Sequence, residues 1–118
     1  SIVLGYQSDK VAEVVKDLNI NLILNPLWDK GQASSLKAAL NTLDDTYSDI
    51  LIMLGDLPGV KSMHINRIIE ELLLINNRKS KITIPSFNGE KGNPVIWGRS
   101  FFPDLSNLEG DVGGACPF

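Results

Sequence analysis

The sequence predicts an α/β fold: a mostly parallel sheet with helices on both faces, plus a hairpin late in the chain. Three observations point there. Short apolar runs alternate with segments of helical period along most of the chain. The run Ile50-Leu51-Ile52-Met53-Leu54 leads straight into Gly55-Asp56, and Pro58 closes the turn. A polar stretch, Asn88–Asn93, separates two strand-like runs near the end. An apolar run as short as Ile50–Leu54, bounded by turn residues, reads as a strand buried on both faces of a parallel sheet. Open α/β sheets place their crevices at the carboxyl ends of such strands. Asp56 occupies that position, where a lone carboxylate beside Gly can hold a divalent cation against phosphate oxygens. The plainer reading is that Asp56 caps a turn or the next helix.

The elements follow in order. Ile2-Val3-Leu4 is a short strand ending at Gly5. Ser8 can cap a helix whose Val11, Val14, Val15 and Leu18 fall on one face, the i, i+3, i+4, i+7 pattern of burial. Leu22-Ile23-Leu24 is the next strand, closed by Asn25-Pro26. After a loop with Trp28 and Gly31, Ser34 or Ser35 caps a second helix that turns Leu36, Ala39, Leu40 and Leu43 inward. A third helix, after the Ile50–Leu54 strand, carries Ile65, Ile68, Ile69, Leu72 and Leu73. Ile82-Thr83-Ile84-Pro85 and Val95-Ile96-Trp97 are the hairpin strands, with Gly89 and Gly92 supplying turn freedom between them.

Composition narrows the function classes. A chain of 118 residues, 43% of them hydrophobic, is one domain or part of one and can bury a core. A net charge of −3 argues against a nucleic-acid binder, which would show a basic stripe. Small phosphate-bearing ligands remain compatible, since a pocket needs local donors rather than a basic surface. One cysteine, Cys116, excludes an internal disulfide and a cysteine-cluster metal site, and suits a reducing compartment. No apolar run approaches membrane-spanning length, so a cytoplasmic protein is expected.

Both ends read as cut. Gly5-Tyr6-Gln7-Ser8 has one glycine and no downstream lysine of the phosphate-loop kind, so the first strand here is expected to be the second of its sheet. Gly110-Asp111-Val112-Gly113-Gly114 is followed only by a few residues. The expectation is a partial domain over residues 1–118.

The motifs, taken in order, resemble a known family. They are the Val3-Leu4-Gly5 strand end; Asn25-Pro26-Leu27-Trp28-Asp29-Lys30-Gly31-Gln32-Ala33-Ser34-Ser35-Leu36-Lys37; Gly55-Asp56-Leu57-Pro58; Pro85-Ser86-Phe87-Asn88-Gly89-Glu90-Lys91-Gly92-Asn93-Pro94-Val95; and Gly110-Asp111-Val112-Gly113-Gly114. This order resembles the MobA/MocA-type nucleotidyltransferases, and most the molybdenum-cofactor cytidylyltransferase branch. The resemblance implies a Rossmann-like, nucleotidyltransferase-like fold and transfer of a cytidylyl group from CTP to molybdopterin cofactor, with Mg2+ required. It implies that Asp56 is the catalytic metal ligand, that Ser34, Ser35 and Gly55 approach the nucleotide, and that Gly92, Asn93, Pro94 and Asp111 line the acceptor side. A molybdenum hydroxylase apoenzyme is the partner it suggests downstream, with no role for nucleic acid or membrane. The chain departs from the family pattern in three places. The opening Leu-Ala-Ala-Gly-type loop that grips the triphosphate is absent, so the 118 residues alone are expected not to catalyse transfer. The late Asp-Thr-Pro segment is absent too. Position 93 is Asn where many relatives carry His, which tells against an acid–base role there.

Physical chemistry is compatible with that reaction. Nucleotidyl transfer needs the reacting phosphates held in line and their charge neutralised, and little else from protein. Backbone N–H groups after Ser34, at a helix N-terminus, would offer donors to an anion. Each feature also has a plainer reading. Ser34 and Ser35 can be caps alone, Asn88–Asn93 a hairpin turn, Asp111 a turn residue, and Lys91 an exposed loop cation. Trp28 and Trp97 read as packing residues, and His64 as a surface residue. A same-fold oxidoreductase and a non-catalytic cofactor-delivery chaperone are the alternative functions.

Overall fold

The computed structural model describes residues 1–112 and resolves them into two compact units. The first comprises residues 1–44 and 104–112, the second residues 45–103. Cys116 and the glycines at 113 and 114 lie outside the described residues.

In the first unit, β1 (Ile2–Leu4) and β2 (Leu22–Leu24) pair in parallel, with Leu4 opposite Leu24. Hydrogen bonds from the Ile2 N–H to the Asn21 carbonyl and from the Asn25 N–H to the Leu4 carbonyl, both 2.8 Å, extend the ladder beyond its ends. The crossover between them is α1 (Ser8–Val15), as parallel strands require. Ser8 is not its cap. Gln7 precedes the helix in the left-handed region (φ 53°) and makes no side-chain capping bond. The expected inward face of α1 is also only partial: Val14 is 83% exposed, and Leu18 lies beyond the helix end. A 3-10 turn at Trp28–Lys30 leads into α2 (Gln32–Leu40), which buries Ala33, Leu36 and Leu40. With Leu4 and Leu105 these residues make the unit's core.

The second unit is built on an antiparallel sheet. β3 (Asp49–Ile52) and β4 (Ile82–Thr83) flank β7 (Val95–Gly98), in the order β3-β7-β4. Asp49 pairs with Gly98 and Ile52 with Val95. The strand expected to be doubly buried in a parallel sheet is therefore a half-buried one whose described neighbour is antiparallel. The doubly buried strand is β7, with Val95, Ile96 and Trp97 at 1%, 2% and 0% exposure. The reason is positional: among the described strands β7 has neighbours on both sides and β3 on one. Trp97 packs edge-on to Phe101, centroids 6.0 Å apart, which bears out its expected packing role. The third helix, α3 (Ser62–Leu73), falls where its period predicts and buries Leu72, while Leu73 stays 60% exposed. His64 is exposed, and its Nδ1 accepts the Lys61 N–H, fastening the helix start.

The late hairpin is present. Between β4 and β7 it projects a small ribbon of β5 (Ser86–Phe87) and β6 (Glu90–Lys91). Asn88 (φ 51°) and Gly89 (φ 84°) form the turn, the Asn-Gly pair that such hairpins favour. The short helix α4 (Phe102–Ser106) carries the chain from the second unit back into the first. The fold is thus α/β, with a helix-crossed parallel pair and a late hairpin. Among the described residues no helix is long and apolar enough to cross a membrane.

Candidate functional site

In the first unit the site is organised by Asn25, which ends β2 and is 2% exposed. Its side-chain amide donates to Ser34 Oγ (2.8 Å) and Ser35 Oγ (3.0 Å), and its Oδ1 accepts the Leu27 N–H (3.0 Å). Ser34 Oγ in turn has the Leu27 and Gly31 carbonyls within reach, at 2.8 and 2.7 Å. A buried amide must spend its donors and acceptor inside the protein, so these bonds fix the course of the chain from 25 to 35. Gly31 completes the loop. Its φ is +98°, and a Cβ there would lie 2.3 Å from the backbone of Gly110, so only glycine fits. The Ala33 N–H donates to the Gly110 carbonyl at 3.0 Å.

Beside this loop runs an open groove of about 580 Å³, with Asn25, Lys30, Ser34, Lys37, Asn41 and Glu109 among its polar lining. That volume lies in the range of small-molecule sites. Two expectations change here. Neither Ser34 nor Ser35 caps α2: the N-cap is Gly31, and both serines sit inside the first turns, facing Asn25. At the helix start the Ala33 N–H is taken by the Gly110 carbonyl and the Ser34 N–H by the Gly31 carbonyl, so neither is free for an anion. Asp111 is exposed and follows Gly110, whose φ is +68°.

In the second unit, Gly55 and Asp56 form a turn three and four residues beyond the end of β3. Asp56 is exposed, and its carboxylate makes no hydrogen bond or ion pair with the described residues. A Cβ on Gly55 would meet nothing within 4 Å, so packing does not demand glycine there. Gly92 donates its N–H to the Pro85 carbonyl at 2.8 Å, and the Asn93–Pro94 peptide is cis. Pro94 is buried and leads directly into Val95, which pairs with Ile52. The register therefore brings Gly55-Asp56 and Gly92-Asn93-Pro94 to one end of the three-stranded sheet.

Among the described residues no three His, Cys, Asp or Glu side chains cluster as a metal cage. A lone free carboxylate still suits magnesium, which keeps several waters and is commonly held by one or two carboxylates together with substrate phosphates. Sequence reasoning missed Asn25 as the hub of its loop, and Lys30 and Lys37 as groove cations. Asn25 was visible only as a strand-ending Asn-Pro, and nothing local marks its amide as buried.

Comparison with known proteins adds three findings. The chain is 25% identical over 100 residues to the Bifunctional protein GlmU of Prochlorococcus marinus (strain MIT 9211), a match covering 85% of this chain and 21% of that protein. It superposes with a TM-score of 0.70 on the crystal structure of a Mycobacterium tuberculosis rv0371c homolog from Mycobacterium sp. strain JC1, at 28% identity, covering 92% of this chain and 52% of that one. The chain thus spans about a fifth of the first relative and about half of the second. Residues 1–117 match the MobA-like NTP transferase domain. With that match running over nearly its whole length, the chain belongs to the MobA-like NTP transferase domain family, a family of nucleotidyltransferases.

Proposed function

We propose that this chain is part of a magnesium-dependent nucleotidyltransferase that passes a cytidylyl group from CTP to a molybdopterin-type cofactor. In that reaction a phosphate oxygen of the acceptor attacks the α-phosphorus of CTP. The bond between the α-phosphorus and the bridging oxygen breaks, and pyrophosphate leaves with that oxygen. The observation that supports the reading best is the free, exposed Asp56 carboxylate, at the same sheet end as Gly92-Asn93-Pro94, in a chain of this family.

Asp56 would hold the magnesium, which when bound neutralises phosphate charge. The backbone at Gly55 is open to a close approach, because no side chain stands over it. Gly92, Asn93, Pro94 and Asp111 would meet the acceptor. Asn93 offers a neutral amide, which can orient an acceptor by hydrogen bonding but cannot take a proton from it. On the nucleotide side, Ser34 and Ser35 act through the loop they lock to Asn25. The choice of CTP and of the molybdopterin acceptor rests on the motif order alone. A cytoplasmic setting and delivery of the product to a molybdenum hydroxylase apoenzyme belong to the same proposal.

The test is pyrophosphate release by the intact protein, with acceptor cofactor present, from CTP, GTP and ATP in turn. CTP should be consumed in clear preference. A GTP preference would move the protein to guanylyl transfer, and cofactor binding without any pyrophosphate would mark a delivery chaperone instead.

A further inference from the structure

We propose that Tyr6 and Trp28 form a stacking platform for the base of the nucleotide, a role that rests on the nucleotidyl-transfer reading. Tyr6 stands two residues after β1 and Trp28 four residues after β2, and these strands are parallel and in register. Both aromatics therefore sit at the carboxyl ends of adjacent parallel strands, the end at which open α/β sheets bind ligands. Their rings meet at a centroid distance of 5.2 Å and a tilt of 59°. The contact leaves Tyr6 66% and Trp28 45% exposed.

Among the described residues nothing covers the outer faces of these rings. A tryptophan contributes through the large area it buries, and one left half in water forfeits much of that gain. Yet Trp28 is held firmly. Its Cβ lies 2.5 Å from where a Cβ on Gly5 would stand, so the bare Gly5 backbone is what admits its stem. On the other side the 3-10 turn is closed by the Lys30 N–H on the Leu27 carbonyl (2.9 Å) and the Gly31 N–H on the Trp28 carbonyl (3.3 Å). An exposed ring whose stem is fixed loses little freedom when a flat partner lands on it. Every nucleobase has such a flat face, and aromatic stacking on it is strong enough to be read kinetically. Lys30, in the same 3-10 turn as Trp28, lines the groove beside Asn25 and Ser34.

The experiment uses the intact protein and four forms of it: wild type, Trp28→Ala, Trp28→Phe and Tyr6→Leu. KM for CTP and kcat are measured by pyrophosphate release, and CTP binding by quenching of Trp28 emission. Inhibition by inorganic tripolyphosphate, which has no base, serves as the control. Trp28→Ala should raise KM for CTP about tenfold with kcat within about twofold. Trp28→Phe should recover most of the loss, Tyr6→Leu should show a smaller rise, and tripolyphosphate inhibition should not change. Tyr6→Leu, at a largely exposed position, keeps the test decisive if Trp28→Ala fails to fold.

Unchanged KM in all three variants would overturn the platform, and so would an equal loss of tripolyphosphate inhibition, which would mark a structural role. Failure of acrylamide to quench Trp28 in the unliganded protein would also overturn it, by showing that another segment covers the rings. If CTP binds on Trp28 but no pyrophosphate forms, the platform stands and nucleotidyl transfer falls. If no nucleotide binds, both fall.

Discussion

Truncating Asn25, itself 2% exposed, to alanine would strip the Leu27 N–H and the Ser34 and Ser35 hydroxyls of their shared partner. At about 1 kcal/mol per lost bond, the expected cost is about 2–3 kcal/mol, read as a lower denaturant midpoint at unchanged slope. Gly31→Ala should cost as much or more, about 2–4 kcal/mol. It forces a side chain into a positive-φ position and against the Gly110 backbone at 2.3 Å. Asp56→Asn is the opposite case. The carboxylate is exposed and free of partners among the described residues, so stability should stay within about 0.5 kcal/mol while magnesium-dependent pyrophosphate release falls at least a hundredfold. Near-normal turnover with unchanged magnesium dependence would remove Asp56 from the metal's ligands.

The second unit's sheet is held at one end by a polar clip. Asp49 opens β3, and its Oδ2 accepts from Arg78 Nε at 3.0 Å and from the Ser48 hydroxyl at 2.6 Å. Its side chain is only 11% exposed, whereas Arg78 is 39% exposed, so the pair lies between the surface and buried limits. Arg78→Ala should therefore destabilise by about 1–3 kcal/mol, more than a surface pair and less than a fully buried one. Thermal unfolding of the variant measures it; no shift would mean that water replaces the guanidinium without loss. Opposite Asp49, Gly98 packs so tightly that a Cβ would fall 2.4 Å from the Arg78 and Lys79 carbonyls. These contacts join residues far apart in sequence, and this is why the sequence did not reveal them. The apolar runs at Ile2–Leu4, Leu22–Leu24 and Val95–Trp97 and the 3.6-residue period of α3 were legible, because both signals are local. The partner of β3 was not: an apolar run announces burial but carries no record of which strand lies beside it. The serines of α2 read as caps because Ser commonly caps helices, and only Gly31's backbone angle moves the helix start to Gln32.

At the scale of the molecule, magnesium should matter to turnover and not to folding. Among the described residues no cluster of ligands could fold around a metal, in contrast to a structural zinc site. Chelation of the intact protein should abolish pyrophosphate release reversibly and leave the unfolding midpoint where it was. A chelator-induced drop of several degrees would instead reveal a structural ion. The proposed site residues divide by the same logic. Asp56 stood out as a candidate because a carboxylate leaving an apolar strand at Gly is a local pattern. Asn25 gains its meaning only when residues ten apart meet, and the platform at Tyr6 and Trp28 only when two strands align.

The bond from the Ala33 N–H to the Gly110 carbonyl also bears on the order of folding. The first unit is interrupted in sequence: its strip at residues 104–112 follows residues 45–103 of the second unit. On the ribosome, β1, α1, β2 and α2 emerge before that strip and wait for it, while residues 45–103 are contiguous and have their own partners as soon as they appear. Closing so long a loop costs entropy before any contact repays it. Pulse-labelled hydrogen exchange during refolding should then show the β7 amides protected before the amide of Ala33. Simultaneous protection would mean that the two units are not separate folding events. The loop around Asn25 thus stays unfinished until Gly110 has followed β7 off the ribosome.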